Sequence, residues 1–274
     1  MIRNTFAALA LCCVIVFVVG CGRSNIHKIN DLSSINDSQD DCIEPSLTGT
    51  DKIVTTQATS DGVVSTTEKS PLDGMDTYVH STNYNIPVNP IYQEPELPAG
   101  CEITTLTALL NYLGYSIDKV SLCDKFLPID VTCTKTFNEA YIGNPKDGTG
   151  FGCYSPVIVK TAQDYLSSVK SQQSAVNISG CDFQQLFMQI EKNRPVIVWT
   201  SIGLVNIREY YCWTSPSGEE ARWIENEHCV LLTGFDYNNS TVTVCDSLEG
   251  ERQYSMELFE YRFNQLGKQA VIIY

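Results

Sequence analysis

A cysteine at the start of a helix can serve as a nucleophile, because the unpaired backbone N–H groups and the positive end of the helix dipole there favour the thiolate. Cys101 has this placement: it follows Pro98-Ala99-Gly100 and precedes a segment in which Ile103, Leu106, Leu109, Leu110 and Leu113 recur at helical spacing before Gly114 stops the run. A thiol nucleophile needs a base. From residue 85 onward the sequence holds a single histidine, His228, at the head of the apolar run Cys229-Val230-Leu231-Leu232-Thr233. A second strand-like run, Thr241-Val242-Thr243-Val244, follows the turn residues Asn238-Asn239-Ser240, so the two runs read as a hairpin. Asp246 closes the second run and falls beside the beginning of the first, within reach of an orienting hydrogen bond to His228. Cys101 would then attack a carbonyl carbon, His228 would hold the proton and return it to a leaving amine, and Asp246 would fix the imidazole tautomer. Each residue alone has a commoner reading: a structural cysteine, a packed or surface histidine, an aspartate of turn chemistry.

The elements that must position these residues form one compact domain over 85–274. Ser155-Pro156 is a helix start with proline in the first turn, leading into VIVKTAQDYL, and Asp182 caps a further helix, FQQLFMQIEKN. The period then changes to strand: Val196-Ile197-Val198-Trp199, the hairpin around residue 239 and a terminal run from Ala270 to Ile273, with a last helix near 256–266. Helices first and strands later predict an α+β architecture, with the leading helix packed on an antiparallel sheet.

Preceding that domain, Met1 to Arg3 is a short cationic region and Thr5 to Val19 an uncharged apolar one, ending at Gly20-Cys21. This is the layout of a secretory signal over residues 1–20, and Cys21 sits where bacterial lipoproteins carry lipid. The apolar run is shorter than the roughly 20 residues that span a bilayer. Residues 21–84 are rich in Ser, Thr, Asp and Asn, with no Phe or Trp, and read as a disordered tether in which His27 and His80 have no site role. These signals place the domain at the extracytoplasmic face of the cell membrane, lipid-anchored through Cys21. The net charge of -14 is spread along the whole chain, which excludes nucleic acid as a partner.

The blocks Pro90-Ile91-Tyr92-Gln93, Ala99-Gly100-Cys101-Glu102-Ile103-Thr104-Thr105-Leu106 and Leu110-Asn111-Tyr112-Leu113-Gly114 resemble the opening of papain-fold cysteine peptidases of the bacteriocin-processing type. The closer likeness is to their stand-alone relatives in Gram-positive bacteria, within peptidase family thirty-nine of the cysteine class. Later blocks agree in order: Gly150-Phe151-Gly152-Cys153-Tyr154-Ser155-Pro156, Arg194-Pro195-Val196-Ile197-Val198-Trp199 and Asn226-Glu227-His228-Cys229-Val230-Leu231-Leu232-Thr233-Gly234-Phe235-Asp236. The resemblance implies a papain-like fold with Cys101 as nucleophile, His228 as base, Asp246 as its partner and Gln93 as the oxyanion-hole donor. A donor of that kind is worth about 3 kcal/mol of transition-state stabilisation. Ser247 departs from the pattern, since the family usually has proline after the aspartate.

No cofactor or metal is expected, because the sequence has no CxxC pair and the domain offers one histidine. G-x-S-x-G is absent as well. Gly148-Thr149-Gly150-Phe151-Gly152 reads as a flexible loop beside the cleft. Trp199, Trp213 and Trp223, with Tyr210 and Tyr211, are candidates for a substrate groove, about half of them better read as core or loop anchors. Of the remaining cysteines, Cys123 with Cys133 is the first candidate for a local disulfide, and Cys229 and Cys245 are core thiols or a cross-strand pair. Three functions stay open. The leading one is a monomeric cysteine hydrolase cutting peptide or isopeptide bonds in peptide, protein or cell-wall peptide substrates. The others are a non-catalytic surface binding module of the same fold and an amine acyl transferase.

Overall fold

The computed structural model describes residues 81–274. The expected signal peptide, Cys21 and nearly all of the tether lie outside the described residues. In chain order the elements are β1 (Asn83–Asn85), α1 (Cys101–Tyr112), α2 (Lys119–Phe126), β2 (Ile129–Asp130), β3 (Tyr141–Ile142), α3 (Ser155–Ser168), β4 (Ala175–Asn177) and α4 (Phe183–Glu191). There follow β5 (Val196–Ser201), β6 (Glu209–Thr214), β7 (Glu220–Ile224), β8 (Glu227–Asp236), β9 (Thr241–Asp246), β10 (Gly250–Ser255), α5 (Met256–Gln265) and β11 (Ala270–Ile273).

The main sheet runs β10-β9-β8-β5-β11-β4, every pairing antiparallel. Strand β8 is its spine: β9 pairs along one edge, while the other is shared by β5 over Glu227–Leu232 and β1 over Gly234–Asp236. The residues expected to end the tether thus already belong to the sheet. Gly234 is required there, since a Cβ would meet Asn85 Oδ1 at 2.6 Å and Tyr84 O at 2.7 Å.

Strand alternation divides the core. Ile197, Trp199, Cys229, Leu231, Val271 and Ile273 pack with α1, α2 and α3. The intervening buried residues face the other side, where Phe183 and Phe187 of α4 meet Phe259, Phe263 and Phe235, the last stacked on Phe187 at 4.7 Å. The sequence expectation of an α+β domain with a leading helix on an antiparallel sheet holds, with helices on both faces. The cap expected at Asp182 is present, and Gln185 extends it to a capping box.

Helix α1 differs from its expected form. All ten residues from Cys101 to Leu110 are buried, because α2, α3 and the segment around β3 cover the side turned away from the sheet. Two of its three buried threonines find partners inside the fold: Thr105 donates to Cys229 O at 3.0 Å and Thr107 to Ile103 O at 2.7 Å, while Thr104 Oγ1 is buried without one. A second, smaller cluster of Phe137, Ala140, Ile142 and Ala221 joins β3 to the β6–β7 hairpin.

The expected disulfide between Cys123 and Cys133 is not formed: Cys123 is a free thiol buried within α2. Cys229 and Cys245 are likewise free buried thiols, and the ladder sets them opposite Trp199 and Leu231 instead of each other. Leu106 of α1 is fully enclosed. Leu106→Ala is expected to cost about 2–5 kcal/mol in urea unfolding; a loss under about 1 kcal/mol would show that α1 is not the central packing element.

Candidate active site

Cys101 is the first residue of α1, and its approach is fixed by close contacts. Gly100 N–H donates to Leu97 O at 2.9 Å, and a Cβ on Gly100 would lie 2.8 Å from that of Leu97. Tyr141 of β3 donates its hydroxyl to Ala99 O. The thiol itself donates to Glu102 Oε2 at 3.3 Å, and Cys229 N–H points at the sulfur. Glu102 is 0% exposed, and its Oε1 accepts from Cys153 N–H at 2.7 Å. Glu227, the first residue of β8, completes the group, with donor atoms of Cys101, Glu102 and Glu227 all within 4.8 Å of one another.

Gly152 closes this cluster from the third side. Its φ of 108° lies in the region that favours glycine, and a Cβ there would sit 2.7 Å from Glu227 Oε2 and 2.9 Å from Glu102 Oε1. The loop expected beside the cleft therefore packs against two carboxyl groups.

This environment opposes the ionisation that the helix terminus favours. Burial, followed by the charges of Glu102 and Glu227, pushes the Cys101 thiol well above its ordinary value, against the smaller pull of Cys229 N–H. Burial and the neighbouring Glu102 likewise push Glu227 well up, and burial raises Glu102 despite its hydrogen bonds. Burial and the two neighbouring carboxyls thus work against the pull of the helix terminus on the thiol. Cys101 and Glu102 are joined by their hydrogen bond, while Glu227 stands beside them with its Oε1 buried and unpartnered.

His228 and Asp246 meet as the hairpin predicts. The ladder pairs Leu231 with Cys245, which carries Asp246 to a position diagonal to His228, and His228 Nε2 lies 2.9 Å from Asp246 Oδ1. Both are 2% exposed. Burial alone would raise Asp246, but the hydrogen bond and charge of His228 and the N–H groups of Leu248 and Glu249 hold its carboxyl below the usual range. An ionised Asp246 assigns the proton to Nε2 and leaves Nδ1 as the nitrogen open to reacting groups. The thiol hydrogen bond of Cys101 goes to Glu102 and not to His228.

Gln93 is buried on the loop before α1. Its Nε2 donates to Pro98 O at 2.7 Å, its Oε1 accepts from the Ser247 hydroxyl at 2.7 Å, and its N–H donates to Ser247 O at 2.9 Å. The residue that departs from the family pattern thus sets which end of the Gln93 amide faces the nucleophile loop. Lys119 of α2 fixes the same loop, donating to Gln93 O at 2.7 Å and pairing with Glu96 at 2.8 Å. Of the groove candidates, Trp199 is core, donating to Cys153 O at 2.9 Å, while Trp213 donates to Lys135 O at 3.0 Å and Trp223 packs on Phe151 at 4.8 Å.

A model of the peptidase C39 like family matches residues 85–271. The chain belongs to this family. The uncharacterized protein YvpB of Bacillus subtilis strain 168 is 29% identical over 184 residues, covering 65% of this chain and 70% of YvpB. A solved structure of a Bacillus anthracis protein described as a C39-like peptidase is similar to this one at a TM-score of 0.62, with 26% identity over 70% of this chain and 97% of that one. The papain-like peptidase fold expected from the sequence is the fold of this C39-like chain. Glu102, Glu227, Ser247 and Lys119 were absent from the sequence-derived site. The one signal pointing to the first two was an acidic residue directly beside the nucleophile and another beside the base.

Ser247→Ala in this C39-like site frees the Gln93 amide to rotate. Acylation of Cys101 by p-nitrophenyl acetate is expected to slow by about tenfold, less than the roughly 100-fold for losing an oxyanion donor outright. Alkylation by iodoacetamide, which develops no oxyanion, should be unchanged; an unaltered acylation rate would show that the hydroxyl does not set the amide.

Proposed function

We propose that this C39-like protein is an extracytoplasmic, lipid-anchored cysteine hydrolase that cleaves peptide or isopeptide bonds by a Cys-His-Asp mechanism. The observation that carries the reading is the buried 2.9 Å contact between His228 and Asp246, which serves an acid–base imidazole and has no other evident use at the end of a strand. Cys101 sulfur attacks the carbonyl carbon and forms a thioester as the amine leaves, and water then releases the acid. His228 is the general acid–base, exchanging protons with reacting groups through Nδ1. The Gln93 amide and the Cys101 backbone N–H are the donors for the oxyanion. Lipid on Cys21 would hold the domain at the outer membrane face, where proteins, secreted peptides and wall peptides are within reach. Among the described residues no helix is long and apolar enough to cross a membrane.

Peptide-library profiling of the protein against its Cys101→Ala and His228→Ala variants tests the reading. The wild type should cleave a defined subset of peptides. Cys101→Ala should fall to background, and His228→Ala should lose on the order of 100-fold or more. Peptide binding without cleavage in all three would favour the non-catalytic module, and amide products with added amines would favour acyl transfer.

A further inference from the structure

Two carboxyls flank the sulfur of Cys101, and only one of them is engaged. Glu102 is fully enclosed, with one oxygen accepting from the Cys101 thiol and the other from Cys153 N–H. Glu227 is partly exposed and so borders the open side of the site, yet its Oε1 is buried and has no hydrogen-bond partner. An unpartnered polar atom in such a place is costly and calls for a partner. The groups around Glu227 are Cys101 and Glu102 from α1, Tyr141 from β3, Cys153 and Tyr154 from the segment entering α3, and Cys229 from β8. None of these carries positive charge, and the neighbouring group that can, His228, is hydrogen-bonded to Asp246. Burial and Glu102 accordingly push the Glu227 carboxyl up, with no cation among the described residues to offset them. The missing partner is a cation that comes from outside the chain.

Reach decides which cation fits. Cys101 and Glu227 offer a sulfur and a carboxyl oxygen within 4.8 Å of one another. A sulfur poised for attack stands about 3–3.5 Å from the carbonyl carbon, and the α-nitrogen of the residue supplying that carbonyl lies about 2.5 Å from the same carbon. An ion pair of about 2.8 Å between that nitrogen and Glu227 closes the remaining gap. Lysine's ammonium, on its long flexible stem, would have to fold back to meet the same oxygen. We propose that Glu227 is the specificity-determining residue of this site, receiving the free α-ammonium group of the residue whose carbonyl Cys101 attacks. The substrates are then peptides with an unblocked N-terminus, cut after their first residue. The proposal rests on the reading of Cys101 as nucleophile and His228 as its base. The S–C bond forms, the C–N bond breaks, and the thiol proton passes through His228 to the departing amine. Water then gives its hydroxyl to the acyl carbon and a proton to the sulfur, releasing a free amino acid. The net charge of -14 draws cationic N-termini toward the protein.

The test compares cleavage of a series of aminoacyl coumarylamides with that of the same series N-acetylated, by the full chain at about pH 7, where an α-amino group is largely protonated. The wild type should cleave free-amine members with kcat/KM on the order of 100-fold or more above that of their acetylated counterparts. In Glu227→Gln that ratio should fall below about tenfold, and Glu227→Asp, which keeps the charge but draws it back, should lie between. The ratio is the reading, since a purely structural role for Glu227 would lower both series together. A ratio unchanged in the variants would overturn the proposal. In the wild type, equal rates on the two series, faster cleavage of the acetylated one or cleavage of neither would also overturn it, whether or not the variants fold. p-Nitrophenyl acetate, which carries no amine, separates this proposal from the reading it rests on. Cys101-dependent release of p-nitrophenol without a free-amine preference would sink the proposal alone. Wild-type release no faster than that of Cys101→Ala would overturn the nucleophile reading, and the proposal with it.

Discussion

The hydrogen bond from the Cys101 thiol to a fully buried Glu102 is the contact on which the rest of the site depends. Burying a carboxylate is costly unless its oxygens are satisfied, and a second carboxyl alongside raises the cost. The surrounding structure answers that demand residue by residue. Cys153 N–H reaches Glu102 from the segment before α3, and Trp199 holds Cys153 in turn through its carbonyl. Gly152 adopts a backbone conformation open to glycine so that both carboxyls fit. Tyr141 fixes Ala99 two residues before the nucleophile. The enclosure of α1 on all sides is thus also what pushes the thiol above its ordinary range.

The second half of the site is organised from one turn. Asp246 ends β9 and orients His228, and the next residue, Ser247, orients Gln93. A single chain reversal therefore places both His228 and Gln93, the residues proposed as acid–base group and oxyanion donor, and Lys119 of α2 secures the Gln93 loop. This arrangement ties the positions of His228 and Gln93 to the same turn. The serine that breaks the family pattern is accommodated by supplying a hydroxyl where proline could offer none.

The sequence made several parts of this legible because the signals were local. The start of α1 after Gly100, the cap at Asp182, the β8–β9 hairpin and the meeting of His228 with Asp246 follow from turn residues, caps and strand alternation. What it hid was set by distant segments. Helix α2 (KVSLCDKF) has little apolar contrast, and its clearest mark is Asp118 accepting from Ser121 N–H at 2.8 Å. The β6–β7 hairpin carried a turn signal in Ser215-Pro216-Ser217-Gly218, but its aromatic residues drew the reading toward a groove. Glu102 looks like a surface acid until Gly152 and Cys153 close over it, and no local signal announces that burial.

The central claim is that burial and the neighbouring carboxyls of Glu102 and Glu227 raise the Cys101 thiol above its ordinary range. The ultraviolet thiolate absorbance of the wild type minus that of Cys101→Ala, followed across pH, measures this directly. The account predicts no thiolate signal near neutral pH and its appearance only above the free-thiol range of about 8.5. A thiolate already present at about pH 6, and lost in His228→Ala, would contradict it.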